Sequence, residues 1–122
     1  MSYSNEQWRI AIINLLKKTS SNAIQWEPSH LFEGDAWTVV DASLMTVFDG
    51  KAYVISQTRT KYYYDEDQYS WSGGFIFSIY EDVGFDSYRK IATAPQLSSL
   101  SALFEAAESN MAFNKNALDG LL

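Results

Sequence analysis

The chain of 122 residues has no cysteine, a single histidine and two prolines. Without cysteine there is no disulfide framework, no thiolate metal ligand and no cysteine nucleophile. That usage fits a reducing compartment. One histidine cannot hold a zinc ion unless carboxylates supply the other ligands. His30 lies in Ser-His-Leu-Phe, and no nucleophile-elbow motif accompanies it anywhere. It is expected to be a solvent-facing loop residue. A long apolar run is also missing: nothing approaches the ~20 residues of a membrane helix. The start Met-Ser-Tyr-Ser-Asn-Glu-Gln-Trp-Arg lacks a basic segment followed by an apolar one, so no secretory signal is expected. Basic patches are absent too. With a net charge of −6, the footprint for a phosphate backbone is missing, which argues against nucleic acid and leaves a basic partner possible. The expectation is a cytoplasmic protein with no membrane contact.

What is present is ordinary globular composition with an excess of rings. Apolar residues make up 47% and charged residues 20%, which argues against disorder. Aromatics at 16% are too many for so short a chain to bury completely, and surface rings often mark a partner.

Ser4 and Gln7 have capping-box spacing. Behind them Trp8, Ile12, Leu15, Leu16 and Thr19 recur at helical intervals, with Lys17 and Lys18 near the favourable end of the dipole. A helix is predicted over about residues 5–19. Residues 23–27 alternate and read as a short extended piece. Two β-rich runs, 36–48 and 51–63, flank Asp49-Gly50, the signature of a two-residue type I′ hairpin. That turn sets Phe48 opposite Lys51, Thr46 opposite Tyr53 and Leu44 opposite Ile55. Gly74–Tyr80 reads as a third strand, Glu81–Gly84 as a turn, and 85–91 as a fourth. Thr93-Ala94-Pro95-Gln96 repeats a helix-start pattern, and Leu97, Leu100, Leu103, Phe104, Ala107 and Met111 follow as a stripe. Asn110 and Asn114–Asn116 are expected to loosen that helix, with a short terminal helix after 117. The fold class is therefore α+β in a single domain, 1–122: an N-terminal helix, a four-stranded antiparallel meander and a C-terminal helix, the helices packed on one sheet face.

A helix ending at Thr19, then Ile24-Gln25-Trp26-Glu27, and the ending Leu118-Asp119-Gly120-Leu121-Leu122 together resemble small uncharacterised bacterial proteins of the same α-ββββ-α order. The resemblance implies the fold, reads its short motifs as core positions and implies no activity. The arm at 57–73 departs from that pattern.

Only Lys61–Gly73, Lys-Tyr-Tyr-Tyr-Asp-Glu-Asp-Gln-Tyr-Ser-Trp-Ser-Gly, stands out as a site. Asp65, Glu66 and Asp67 fail the EF-hand spacing, since Tyr69 replaces a ligand and Ser70 the glycine. Gly73-Gly74 is no phosphate loop, because no Gly-Lys-Ser/Thr follows. Trp8, Trp26 and Trp37 sit in apolar patterns and are expected in the core. Trp71, among Ser and Gly, is not. The candidate binding residues are Tyr62, Tyr64, Asp65, Glu66, Asp67, Tyr69 and Trp71, on a hairpin with an aromatic flank and an acidic tip. No catalytic residue, metal or cofactor is indicated. The leading expectation is a non-enzymatic, acidic bacterial protein-interaction protein, of immunity or mobile-element accessory type. Apolar residues on both sheet faces suggest a symmetric homodimer. The alternative is a small-molecule binding domain using the concave sheet face.

Overall fold

A computed structural model describes all residues, 1–122. Helix α1 spans Asn5–Ser20. Its capping box forms: Ser4 Oγ accepts from the Gln7 N–H at 3.1 Å, and Gln7 Oε1 accepts from the Ser4 N–H at 2.8 Å. Strands β1 (Glu27–Pro28), β2 (Thr38–Phe48), β3 (Lys51–Tyr63), β4 (Tyr69–Gly84) and β5 (Ser87–Thr93) lie side by side in sequence order, all antiparallel. Helix α2 spans Ser99–Asn114. The α+β class is as read from the sequence, with a fifth strand of two residues added.

Asp49 and Gly50 take φ values of 53° and 74°, and the β2–β3 register follows from that turn. Phe48 faces Lys51, Thr46 faces Tyr53 and Leu44 faces Ile55. Several boundaries differ from the sequence reading, each for a local reason. The third strand begins at Tyr69 rather than Gly74, because Tyr69–Gly73 pairs with Arg59–Tyr63 and draws Tyr69 and Trp71 into β4, and the fourth runs over Ser87–Thr93 rather than 85–91. The extended piece at 23–27 shrinks to Glu27–Pro28, because the Ile24 carbonyl and the Trp26 N–H bond to the Asn110 side chain instead of a strand. The turn expected at 81–84 moves to Phe85-Asp86, both at positive φ (56° and 58°). A phenylalanine in the left-handed region is uncommon, so pattern alone points to Gly84. Thr93 does not cap a helix. It ends β5, and the Ala94 N–H extends that ladder to the Phe77 carbonyl at 2.8 Å. The tail after Asn114 forms turns rather than a helix, and Leu118, Leu121 and Leu122 are exposed, so the Leu-Asp-x-Leu-Leu ending is not core.

Both helices lie on one sheet face. Trp8, Ile12 and Leu15 of α1 and Leu100, Leu103, Phe104 and Ala107 of α2 close over Leu44, Ile55 and Phe77. Each fully buried aliphatic side chain contributes about 1.5–3 kcal/mol relative to exposure. The other face carries Ala52, Val54 and Tyr80, covered by Leu31 and Phe32 from the β1–β2 connection. The apolar outer face that suggested a dimer is thus met, in this region, by the chain itself. No helix is long and apolar enough to cross a membrane.

Asn110 does the opposite of loosening α2. Buried there, its Oδ1 accepts from the Trp26 N–H at 2.9 Å, while its Nδ2 donates to Ile24 O at 3.1 Å, Asn22 Oδ1 at 3.1 Å and Thr19 O at 3.3 Å. Trp26 Nε1 donates to Thr19 Oγ1 at 3.0 Å. One amide therefore satisfies the chain leaving α1 and locks it to α2.

Candidate binding surface

β3 and β4 outrun the helix layer. In an antiparallel pair, directly opposed residues share a face and alternate residues change face. Ile55 opposes Phe77 within the helix-facing core, so the same face continues through Arg59 and Gly73, Lys61 and Trp71, and Tyr63 and Tyr69. α2 still reaches Phe75, whose ring lies 5.5 Å from that of Phe104. Beyond it the face is open.

There the rings form a connected row. Trp37 meets Tyr63 edge-on at 5.4 Å, Tyr63 lies 5.3 Å from Tyr69, and Tyr69 meets Trp71 edge-on at 5.7 Å. Edge contacts of this kind contribute about 0.5–1.5 kcal/mol beyond burial. Two cations lie over the row: Arg59 sits 5.0 Å from the Trp71 ring centre, and Lys61 sits 4.9 Å from Tyr69 and 5.6 Å from Trp71. Opposite Arg59 stands Gly73, where an added Cβ would meet nothing within 4 Å, so the guanidinium has room to reach the neighbouring indole.

Arg59 is held from the other side. The β2–β3 register shifts between Val40 and Ala42, making Asp41 the extra residue of a bulge. Its two carboxylate oxygens each accept from Arg59 Nε at 2.9 Å. Trp37 is placed by an equally local device: Asp35 Oδ1 accepts from the N–H groups of Trp37 and Thr38, both at 2.8 Å. Gly34 must lack a side chain here, since a Cβ would fall 2.2 Å from the Thr38 carbonyl oxygen.

Trp37 is therefore no core residue. It is 56% exposed, against 8% for Trp8 and 3% for Trp26. The Glu33-Gly34-Asp35 stretch before Trp37 is turn-forming rather than apolar, and that was the available signal. Arg59 and Lys61 also belong to the surface; their odd-numbered spacing with Tyr63 was legible, but not their meeting with β4. Of the residues singled out from the sequence, Tyr69 and Trp71 join the row, each 41% exposed. Tyr62 opposes Ser70 on the other face, exposed, and Tyr64 lies past the end of β3, exposed. Asp65, Glu66 and Asp67 form the tip, where Asp65 Oδ1 accepts from the Glu66 N–H at 2.7 Å. The ion pairs of the chain are Arg9–Glu6, Arg59–Asp41 and Arg89–Glu81, so no cation neutralises the tip.

The helix-covered side of the sheet offers a second feature. A groove of about 560 Å³ runs between α1 and the sheet, bordered by Tyr3, Trp8, Lys51, Tyr53, Ile79 and Ile91. Burial pushes the Tyr53 phenol up, and the Asp49 carboxylate adds to it. Burial likewise raises Tyr80, with Glu33 contributing. No polar network converges in that groove, and His30 is exposed on the β1–β2 connection.

No family model, curated protein or solved structure matches the chain. The resemblance drawn from Thr19, Ile24, Trp26, Glu27 and the Leu118–Leu122 ending rests on those residues alone.

Proposed function

We propose that this chain is a non-catalytic protein-interaction module of the cytoplasm that engages a basic partner through its β3–β4 arm. The observation that carries the reading is the row Trp37–Tyr63–Tyr69–Trp71, exposed yet fixed in place by edge contacts, Arg59 and Lys61. Rings held rigid before binding lose little freedom on docking, which is why Tyr, Trp and Arg dominate binding hot spots. The uncompensated Asp65-Glu66-Asp67 tip beside the row favours a cationic partner and faster encounter with it. A role as an immunity-type or accessory protein would use such a surface.

The test is a pull-down from the source organism with wild-type and Trp71→Ala baits in parallel. A basic protein recovered by the first and lost by the second is the expected result. The same catch with both baits, or a co-purifying metabolite without any protein, would overturn the proposal.

A further inference from the structure

β4 is 16 residues long, and its two edges are covered unequally. On one side β3 pairs with it from Tyr69 to Glu81. On the other, β5 reaches only from Ser78 to Gly84, and the bond from Ala94 N–H to the Phe77 carbonyl is the last rung. Alternate residues of an antiparallel strand turn both backbone groups to the same side. Phe77 turns its carbonyl to the β5 side, so Phe75, Gly73, Trp71 and Tyr69 turn their N–H and C=O groups there as well. No strand of the chain meets them. Native sheets usually blunt such an edge with lysine, proline, a bulge or a covering segment. Tyr69–Ile76 reads Tyr-Ser-Trp-Ser-Gly-Gly-Phe-Ile, without charge or proline, and its register against β3 runs without a shift.

We infer that the free edge of β4, from Tyr69 to Phe75, takes an extended segment of a basic partner as an added strand. This rests on the reading that the arm binds a partner, and it specifies how. An unpaired ladder of donors and acceptors is complementary to another strand. The charge follows from the end of that ladder. It runs into Asp65–Asp67, which no cation of this chain pairs, while Arg59 is taken by Asp41 and Lys61 lies over two rings. A strand along the edge brings one of its ends to the tip, where lysine or arginine completes the charge. On the helix side its side chains lie beside Trp71 and Tyr69. On the other side Ser70, Ser72 and Gly74 leave room. A second copy of this chain is a poorer occupant: it carries the same acidic tip, and its edge residues offer that tip no cation.

Main-chain bonds supply most of the affinity in strand addition, so a generic extended peptide is a fair probe. Three fluorescent nonapeptides would alternate valine with lysine, threonine or glutamate. A fourth would be the lysine peptide N-methylated at two adjacent central residues, which blocks both of its edges. Fluorescence anisotropy should show the lysine peptide binding, the threonine peptide binding about tenfold more weakly, and the glutamate and N-methylated peptides not binding. Amide exchange at Tyr69, Trp71, Gly73 and Phe75 should slow at least roughly tenfold with the lysine peptide, as strand pairing protects backbone amides. Gly73→Pro removes an outward N–H while sparing the β3 ladder, and should weaken binding by a similar factor. If that variant misfolds, the N-methylated peptide still decides. Equal binding of the plain and N-methylated lysine peptides would overturn strand addition while leaving the aromatic arm, tested through Trp71, as a binding surface. No binding of any peptide at roughly 1 mM, where even weak specific contacts register, would overturn it too. So would protection of the same amides by raising the protein concentration alone, which would assign the edge to a second copy.

Discussion

Trp26 and Trp71 both sit among polar groups, and their surroundings use those groups in opposite ways. At the end of α1, Asn110, Thr19 and Asn22 close around Trp26 until its backbone and indole N–H groups both have partners, and the ring is 3% exposed. On the arm, Arg59 and Lys61 lie over the Trp71 ring and leave it 41% exposed. The first region spends its polar groups inward and gains a fixed helix pair. The second orients its rings outward and keeps its strongest charges, Asp65 to Asp67, unanswered. A buried network is costly to break, and an exposed cation–ring array is cheap to break.

The sharpest way to break the comparison is Asn110→Ala. It would strand the Trp26 N–H and remove the donor to the Ile24 and Thr19 carbonyls, each a loss of about 1–3 kcal/mol for a buried group. A urea titration should show a destabilisation of about 3 kcal/mol. A change below about 1 kcal/mol would mean that water or a neighbour replaces the amide.

Next comes Trp71→Ala. It removes one edge contact and two cation–ring contacts at a half-open site, so folding stability should fall by only about 1 kcal/mol. Its effect on a bound partner should be about 2 kcal/mol or more. A stability loss of several kcal/mol, as for truncating a buried ring, would place Trp71 with Trp26 and erase the contrast.

Smaller still is the combined change Asp65→Asn, Glu66→Gln and Asp67→Asn. Stability should stay within about 0.5 kcal/mol, since no ion pair is lost and the amide oxygen that replaces the Asp65 carboxylate can still accept from the next backbone N–H. Stopped-flow association with the partner should slow, and its dependence on salt should weaken. An unchanged association rate would remove the tip from the surface.

The smallest effect is on pH dependence. Tyr53 and Tyr80 have phenols raised above their ordinary value of 10.0. The folded state then holds these protons more tightly than the unfolded chain does. Their contribution is fully present below pH ~10 and is lost as pH rises through the folded values. Alkaline denaturation followed by circular dichroism should therefore be less steep in Tyr53→Phe and Tyr80→Phe. An identical alkaline profile in both variants would contradict this.

The β2–β3 hairpin and α1 were legible because their signals are local. Asp49-Gly50 dictates its own turn, and with it every pair from Phe48–Lys51 to Leu44–Ile55. Ser4 and Gln7 dictate their own cap. The arm was legible as a hairpin but not as a surface. Whether Trp71 shares a face with Lys61 or with Tyr62 depends on how many residues the tip consumes, and Tyr64–Gln68 carries no turn motif that fixes it. Asn110 was misread for a related reason. Its helix propensity is poor wherever it stands, and its partners lie in residues 19–26.

That distance along the chain has a kinetic consequence. Trp26 and Asn110 are separated by 84 positions, whereas the β2–β3 hairpin closes over two. Closing a long loop costs conformational entropy before any contact repays it. The hairpins can therefore form first, with the α1–α2 junction last to lock. A lesion at Asn110 should then leave the folding rate nearly unchanged and appear almost wholly as faster unfolding. The amide would then act as a latch that sets how long the folded molecule lasts, and stopped-flow refolding and unfolding rates of Asn110→Ala are the check.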